Sequence, residues 1–323
     1  MVDFKKLITN FSPRSKNMSQ YVGLGAFFCV CFMFFLYMTF PYGVLKESIT
    51  GELSRNLGYE IQVGKLGPSL PLGFVAEDIR IVSKNGGQSL NISGLSAKIS
   101  ILNLFILRLG IDAEILAKGG GRLEVNTREG LFHMLFSGVG LPSRLTVNAV
   151  KFPLNDIVTF FLRDMAQSPD TNPLLSPMLA KLNFSGNLNG AIDLDLDASN
   201  PAQSSGDVDV KINDGRFDVN DPSLNIAEQK FSKALIKASL QKGSFNFDNN
   251  AGLQTQELDL GLRGRVQLKE NFPKSQMDLV ISLKLDKGLN EQFGFLIGAA
   301  AGGKDGAASW PIKGTLGAPQ MGN

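Results

Sequence analysis

Residues 188–198 read LNGAIDLDLDA, and residues 207–212 read DVDVKI. In the first stretch Leu188, Gly190, Ile192, Leu194, Leu196 and Ala198 take alternate positions, and Asn189, Asp193, Asp195 and Asp197 lie between them. In the second, Val208, Val210 and Ile212 alternate with Asp207, Asp209 and Lys211. Successive side chains of a β-strand point to opposite faces, so this period of two specifies strands with one dry face and one wet face. Antiparallel pairing accommodates that asymmetry, whereas a parallel sheet covered on both sides does not.

The same alternation extends in both directions. Upstream, Ile61 and Val63 alternate with Gln62 and Gly64, and Leu95, Ala97, Ile99 and Ile101 with Ser96, Lys98 and Ser100. Leu123 and Val125 flank Glu124, and Leu145, Val147 and Ala149 flank Thr146 and Asn148. Downstream, Leu258, Leu260, Leu262, Val266 and Leu268 face away from Asp259, Arg263, Arg265 and Gln267. Met277, Leu279, Ile281, Leu283 and Leu285 likewise oppose Asp278, Ser282, Lys284 and Asp286. Asn85-Gly86-Gly87, Gly119-Gly120-Gly121, Asp214-Gly215 and Asn249-Asn250-Ala251-Gly252 are read as the turns that separate strands.

Helical spacing is confined to short segments at 45–57, 154–166, 174–181 and 289–300. In the first, Leu45, Ile49, Leu53 and Leu57 recur every four residues before Gly58, a plausible stop. So few helices cannot cover the apolar side of a dozen strands. That side must pack sheet on sheet, curl on itself or hold something apolar. The expected fold is mainly β: an N-terminal transmembrane helix followed by a curved antiparallel sheet or grooved β-sandwich. A composition change at Gln167–Pro177 divides the region after the anchor into 43–166 and 178–323, with 167–177 as linker. The expected groove face comprises Ile192, Leu194, Leu196, Val208, Val210, Leu260, Leu262, Leu279, Ile281 and Leu283.

From Asn17 to Leu45 no residue is charged, and 21–42 read YVGLGAFFCVCFMFFLYMTFPY. As a helix this stretch would be roughly 33 Å long, enough for a hydrocarbon core of about 30 Å. Tyr21, Phe27, Phe28, Phe32, Phe34, Phe35, Tyr37, Phe40 and Tyr42 are the expected anchor residues, with the terminal rings suited to the two interfaces. A cleaved signal peptide has a shorter apolar core and a small-residue cleavage site, and TFPYGVLKES offers none. The net charge of +2 divides unevenly: residues 1–20 carry +3, leaving −1 on the other 303. The basic stub at 1–20 places the N-terminus in the cytoplasm, and in a bacterium the remainder in the periplasm. Cys29 and Cys31, the only cysteines, lie inside the span, so no disulfide framework is expected beyond it.

The near-neutral charge excludes the basic field of a nucleic-acid binder. His133, in GLFHMLF, is the only histidine and sits among apolar neighbours, the setting of a structural residue. No nucleophile elbow, Walker loop or dinucleotide fingerprint occurs, and Gly119–Gly121 leads into a strand rather than a helix. Asp193, Asp195, Asp197, Asp207 and Asp209 form the densest acidic cluster, without the loop spacing of a calcium motif. The wet face of a hairpin accounts for them. No catalytic residue, metal or cofactor is expected, and the chain does not read as an enzyme.

Five further stretches carry a resemblance. The span ends in Phe40-Pro41-Tyr42 and leads to Gly58-Tyr59-Glu60-Ile61-Gln62-Val63-Gly64-Lys65-Leu66. Pro68-Ser69-Leu70-Pro71-Leu72-Gly73-Phe74 and Ala76-Glu77-Asp78-Ile79-Arg80-Ile81 follow, and Pro311-Ile312-Lys313-Gly314-Thr315-Leu316-Gly317-Ala318-Pro319 comes near the end. This resembles the type II secretion system protein N family (GspN) in its longer, divergent branch, and is similar to the N-terminal region of AsmA-like proteins. The first resemblance implies an inner-membrane accessory component of the secretion machinery, acting through contacts with its other proteins. The second implies a β-groove that binds or transfers phospholipid in the periplasm.

Overall fold

The computed structural model describes residues 23–25, 27–28, 31–32, 34–35, 37–70, 72–84, 88–100, 108–130, 142–168, 176–197, 199–219, 228–291 and 307–321. Residues 1–47 and 48–323 form two compact units. In the first, the described residues between Gly23 and Met38 are helical. Helix α1 (Tyr42–Leu57) begins there and continues into the second.

The second unit is built on one antiparallel sheet of sixteen strands. The strands of its first half are β1 (Glu60–Pro68), β2 (Gly73–Val82), β3 (Ser89–Ile99), β4 (Arg108–Leu116), β5 (Arg122–Gly130), β6 (Arg144–Pro153) and β7 (Leu182–Asp195). The second half comprises β8 (Ser205–Val219), β9 (Gln229–Lys230), β10 (Lys233–Gln241), β11 (Ser244–Phe247), β12 (Gly252–Gln254), β13 (Leu258–Gln267), β14 (Gln276–Leu285), β15 (Ala307–Thr315) and β16 (Ala318–Met321). Sequence neighbours pair throughout, except that β9 pairs beside β8 and β12 between β10 and β13. The architecture is thus mainly β, with the one-faced strands of the alternation laid side by side. Between β6 and β7 lie α2 (Asn155–Gln167) and α3 (Ser176–Lys181). The sheet nevertheless runs straight across this connection, because Leu145 pairs with Leu194 and Val147 with Ile192.

Local chemistry explains the joints. The β10–β11 hairpin turns on Lys242 and Gly243 at φ of 51° and 71°, the doubly left-handed turn that matches strand twist. Gly119 and Gly120 supply φ of 111° and 91° between β4 and β5. Asp214-Gly215, expected to be a turn, instead lies inside the fifteen-residue β8. There Asp214 takes φ of 52° and the pairing with β7 slips by one, so two residues oppose one. Gly215 is buried beneath Phe231, whose Cδ2 would stand 2.0 Å from any Cβ at that position. Phe231 in turn packs its ring against Phe184 and Phe217, at centroid distances of 5.5 and 6.1 Å.

Two more left-handed residues shift the alternation, one with a register slip and one without. Lys151 (φ 47°) sits at the register slip of β6, between buried Ala149 and Phe152. Asp78 (φ 54°) lies between buried Ala76 and Ile79 in β2. Each reverses the parity of the alternation without moving the apolar residues to the other side. Ala76, Ile79 and Ile61 accordingly form one buried cluster, with Val63, Leu66, Ile92 and Leu95 packed against it.

The helix at 154–166 is observed at Asn155–Gln167, and that at 174–181 at Ser176–Lys181. Of 289–300, Leu289–Glu291 are helical and 292–300 lie outside the described residues.

Candidate functional site

The register assembles a row of fourteen residues, one from each strand on the main path. In order they are Pro68, Phe74, Ala97, Ala113, Val125, Val147, Ile192, Val208, Ala238, Phe247, Gly264, Leu279, Ile312 and Met321, each paired with the next. None carries a polar side chain. At about 4.8 Å per strand the row runs for roughly 60 Å along the sheet. Two residues along each strand lies a second row, apolar from Leu66 through Ala76, Leu95, Ile115, Leu123, Ala149, Gly190 and Val210 to Ile236.

The row on the opposite face is its complement. Lys98, Asp112, Asn126, Thr146, Asp193, Asp207, Ser239, Asn246, Arg265, Asp278, Lys313 and Gln320 pair in sequence across twelve strands. Here Asp193 and Asp207 are directly opposed, a like-charge contact that costs stability. Arg144 offsets it, with Nη2 3.2 Å from Asp193 Oδ2 and Nε 3.8 Å from Asp195 Oδ1, and the Thr146 hydroxyl donates to Asp193 at 3.1 Å. Lys237 Nζ stands 3.4 Å from Asp209 Oδ2. Asp197 accepts the backbone N–H groups of Ser199 and Asn200, at 3.0 and 2.8 Å, as a turn-forming residue does. Among the described residues no group of three or more His, Cys, Asp or Glu side chains could hold a metal ion.

All ten expected groove residues fall on the apolar side. Ile192 pairs with Val208, Leu260 with Leu283 and Leu262 with Ile281. Leu194 and Leu240 lie on either side of Gly206, and with Leu268 they form a buried cluster against which Leu196, Ile192 and Val208 pack. Trp310, the only tryptophan, pairs with Ile281 and shares this face. Burial is shallow, however. Val125, Val147, Ile192, Val208, Phe247 and Ile312 are each only partly buried. Among the described residues just Leu240 and Ser275 are fully enclosed. A packed core of this size would close over most of its large aliphatic side chains.

At one end of the strands α2 packs against β3, β7 and α3. Asp164 of α2 is buried, and it accepts hydrogen bonds from the Ser83 hydroxyl and, at 3.0 Å, from the Tyr59 hydroxyl. Burial first, and then the Asp164 hydrogen bond and charge, push the Tyr59 hydroxyl above its ordinary value. The Tyr59 ring also lies tilted to Phe160 and edge-on to Phe161, at centroid distances of 5.6 and 6.4 Å. Sequence spacing gave no sign of this cluster.

Of the expected anchor residues, Tyr21 lies outside the described residues. Phe27, Phe28, Phe32, Phe34, Phe35 and Phe40 are exposed, and Phe28 stacks on Phe32 at 6.3 Å. Tyr42 sits edge-on to Tyr37 and Phe40, at 6.2 and 5.4 Å, and donates from its hydroxyl to the Tyr37 carbonyl at 3.0 Å. Among the described residues no helix is long and apolar enough to cross a membrane. His133 and Cys29 also lie outside the described residues, and Cys31 is exposed. Compared with models of protein families, with curated proteins and with solved structures, the chain matches none.

Proposed function

We propose that this is a membrane-anchored protein whose sheet curves into a groove, and that the apolar face holds the acyl chains of phospholipid. The observation that carries the reading is the unbroken fourteen-residue apolar row, opposite a polar row that runs across twelve of the same strands. Aliphatic side chains left half-exposed along such a row gain about 2.5 kcal/mol for every 100 Å2 that a ligand covers. Flexible hydrocarbon suits a long, featureless strip that offers no hydrogen-bond partner. The span at 21–42, with its exposed phenylalanines, provides the anchor, and the positive stub sets the N-terminus in the cytoplasm and the sheet in the periplasm of a bacterium.

The motifs at 40–81 and 311–319 favour a second reading, an accessory role in type II secretion exercised through protein contacts on the polar face. One experiment separates the two. The full chain is reconstituted into phosphatidylcholine vesicles with brominated acyl chains, and emission from Trp310 is followed. Lipid in the groove brings bromine against the indole and quenches it. Unquenched emission, together with photo-crosslinks from Asp195 to secretion proteins and none from Ile192 to phospholipid, would overturn the lipid reading in favour of the second.

A further inference from the structure

We infer that α2 is a strap across one end of the apolar face, hinged on β7 and latched to the first two strands by Asp164. The inference rests on the lipid reading and adds a controlled opening to it. Three observations meet here.

The first is placement. At its N-terminal end the helix is tied to β7: the Leu154 N–H donates to the Gly186 carbonyl at 2.9 Å, and the Gly186 N–H to Asn155 Oδ1 at 3.2 Å. Beneath its first turn Ile157 lines a pocket of mixed character, with Leu90, Ile92 and Phe152 on one part of its wall and Asn91 and Lys118 on another. Ile92 belongs to the cluster around Ile61, Ala76 and Ile79, so the helix lies on the apolar side.

The second is the nature of the far attachment. Asp164 reaches Ser83, just past the end of β2, and Tyr59, just before β1, residues 81 and 105 positions away. Both partners are hydroxyls that water can replace once the contact opens. A carboxylate leaving such a contact regains full hydration, whereas a leucine at that position would resist exposure.

The third is the outward surface. A helix that serves only as a cover turns polar side chains to solvent. In α2, Phe161 and Met165, one turn apart, remain 46% and 54% exposed. Phe161 also meets the Tyr59 ring edge-on, so the apolar groups run from the inward face round to an exposed flank, and that flank can meet lipid when the strap lifts.

The test uses the full chain in brominated phosphatidylcholine vesicles, with Trp310 as reporter. Tyr59→Phe and Ser83→Ala each remove one hydrogen bond to Asp164 and keep the packing. A hydrogen bond to a charged group weighs enough to raise the rate of quenching on the order of tenfold, with the same final depth. Hydrogen exchange should rise over residues 155–167 and stay unchanged over β13 and β14. Quenching at the wild-type rate in both variants overturns the strap and leaves the lipid reading standing. Faster exchange spread over the whole sheet also overturns it, since the contact would then be a general fold stabiliser. Absence of quenching in the wild-type chain overturns the lipid reading and the strap with it.

Discussion

Replacing valine by threonine at three positions on one face tests whether that face is a dry core or an open groove. Val208, Val210 and Val266 all project to the apolar side, but Val266 is only 7% exposed whereas the other two are partly buried. Threonine keeps the shape and the β-branching of valine, so strand preference is nearly unchanged and the new hydroxyl is the whole perturbation. At Val266 the hydroxyl enters a closed site without a partner, which costs about 1–3 kcal/mol. In urea, with a slope of about 1–3 kcal/mol/M, the midpoint falls by roughly 1 M. At Val208 or Val210 water reaches the hydroxyl of the lipid-free protein, and the cost stays within about 0.5 kcal/mol. Bound hydrocarbon would strip that water from both sites, so the Val208→Thr/Val210→Thr double variant loses at least about tenfold in lipid affinity. Unfolding is followed by the emission of Trp310, and affinity by its quenching with brominated lipid. If Val208→Thr destabilises as much as Val266→Thr, the face is packed dry and no groove exists.

Two further outcomes follow from local geometry. Gly264 in β13 sits at φ of 120°, and a Cβ there would stand 2.2 Å from the Asp278 carbonyl on β14. Gly264→Ala should cost about 1–3 kcal/mol through strain alone, and a urea midpoint equal to wild type would show that the strand can relax around it. The Tyr59 hydroxyl titrates above its ordinary value, so the folded state holds its proton more tightly than the unfolded state does. Its contribution is complete below a pH of about 10 and is lost as pH rises through the folded value. Wild-type stability should therefore decline more steeply than that of Tyr59→Phe in this alkaline window, and parallel declines would show that the fold does not hold the Tyr59 proton.

The fold class was legible because alternation is a local property, and stretches such as 188–195 and 276–285 carry it cleanly. The parity slips were not. Asp78, Lys151 and Asp214 are ordinary polar residues, and nothing in their identity announces a left-handed backbone. In retrospect a faint signal exists: Glu77-Asp78, Val150-Lys151 and Asn213-Asp214 each put two exposed residues between two that face inward. Asp-Gly is a common turn dipeptide, and the ring of Phe231 over buried Gly215 is what keeps the strand running through it. The Asp164 contact was invisible for another reason. Its partners are separated by most of the first seven strands, and only pairing brings them to one end of the sheet.

The two rows also bear on what kind of protein can use this sheet. A sheet buried on both faces needs apolar residues on both, and the row from Lys98 to Gln320 excludes that arrangement. A sandwich closes its core with a second sheet, but all sixteen strands here belong to one. Among the described residues, and apart from the end against which α2 packs, curling is what can shield the strip, and fourteen successive positions would have to meet across the interior to fill it. Alanine and glycine stand at four of them, Ala97, Ala113, Ala238 and Gly264, where a filled core would call for bulk from the facing strand. A specific pocket would need convergent polar groups to orient its ligand, and the strip has none. What remains is a surface that discriminates by polarity and width alone, which is what a hydrocarbon chain presents.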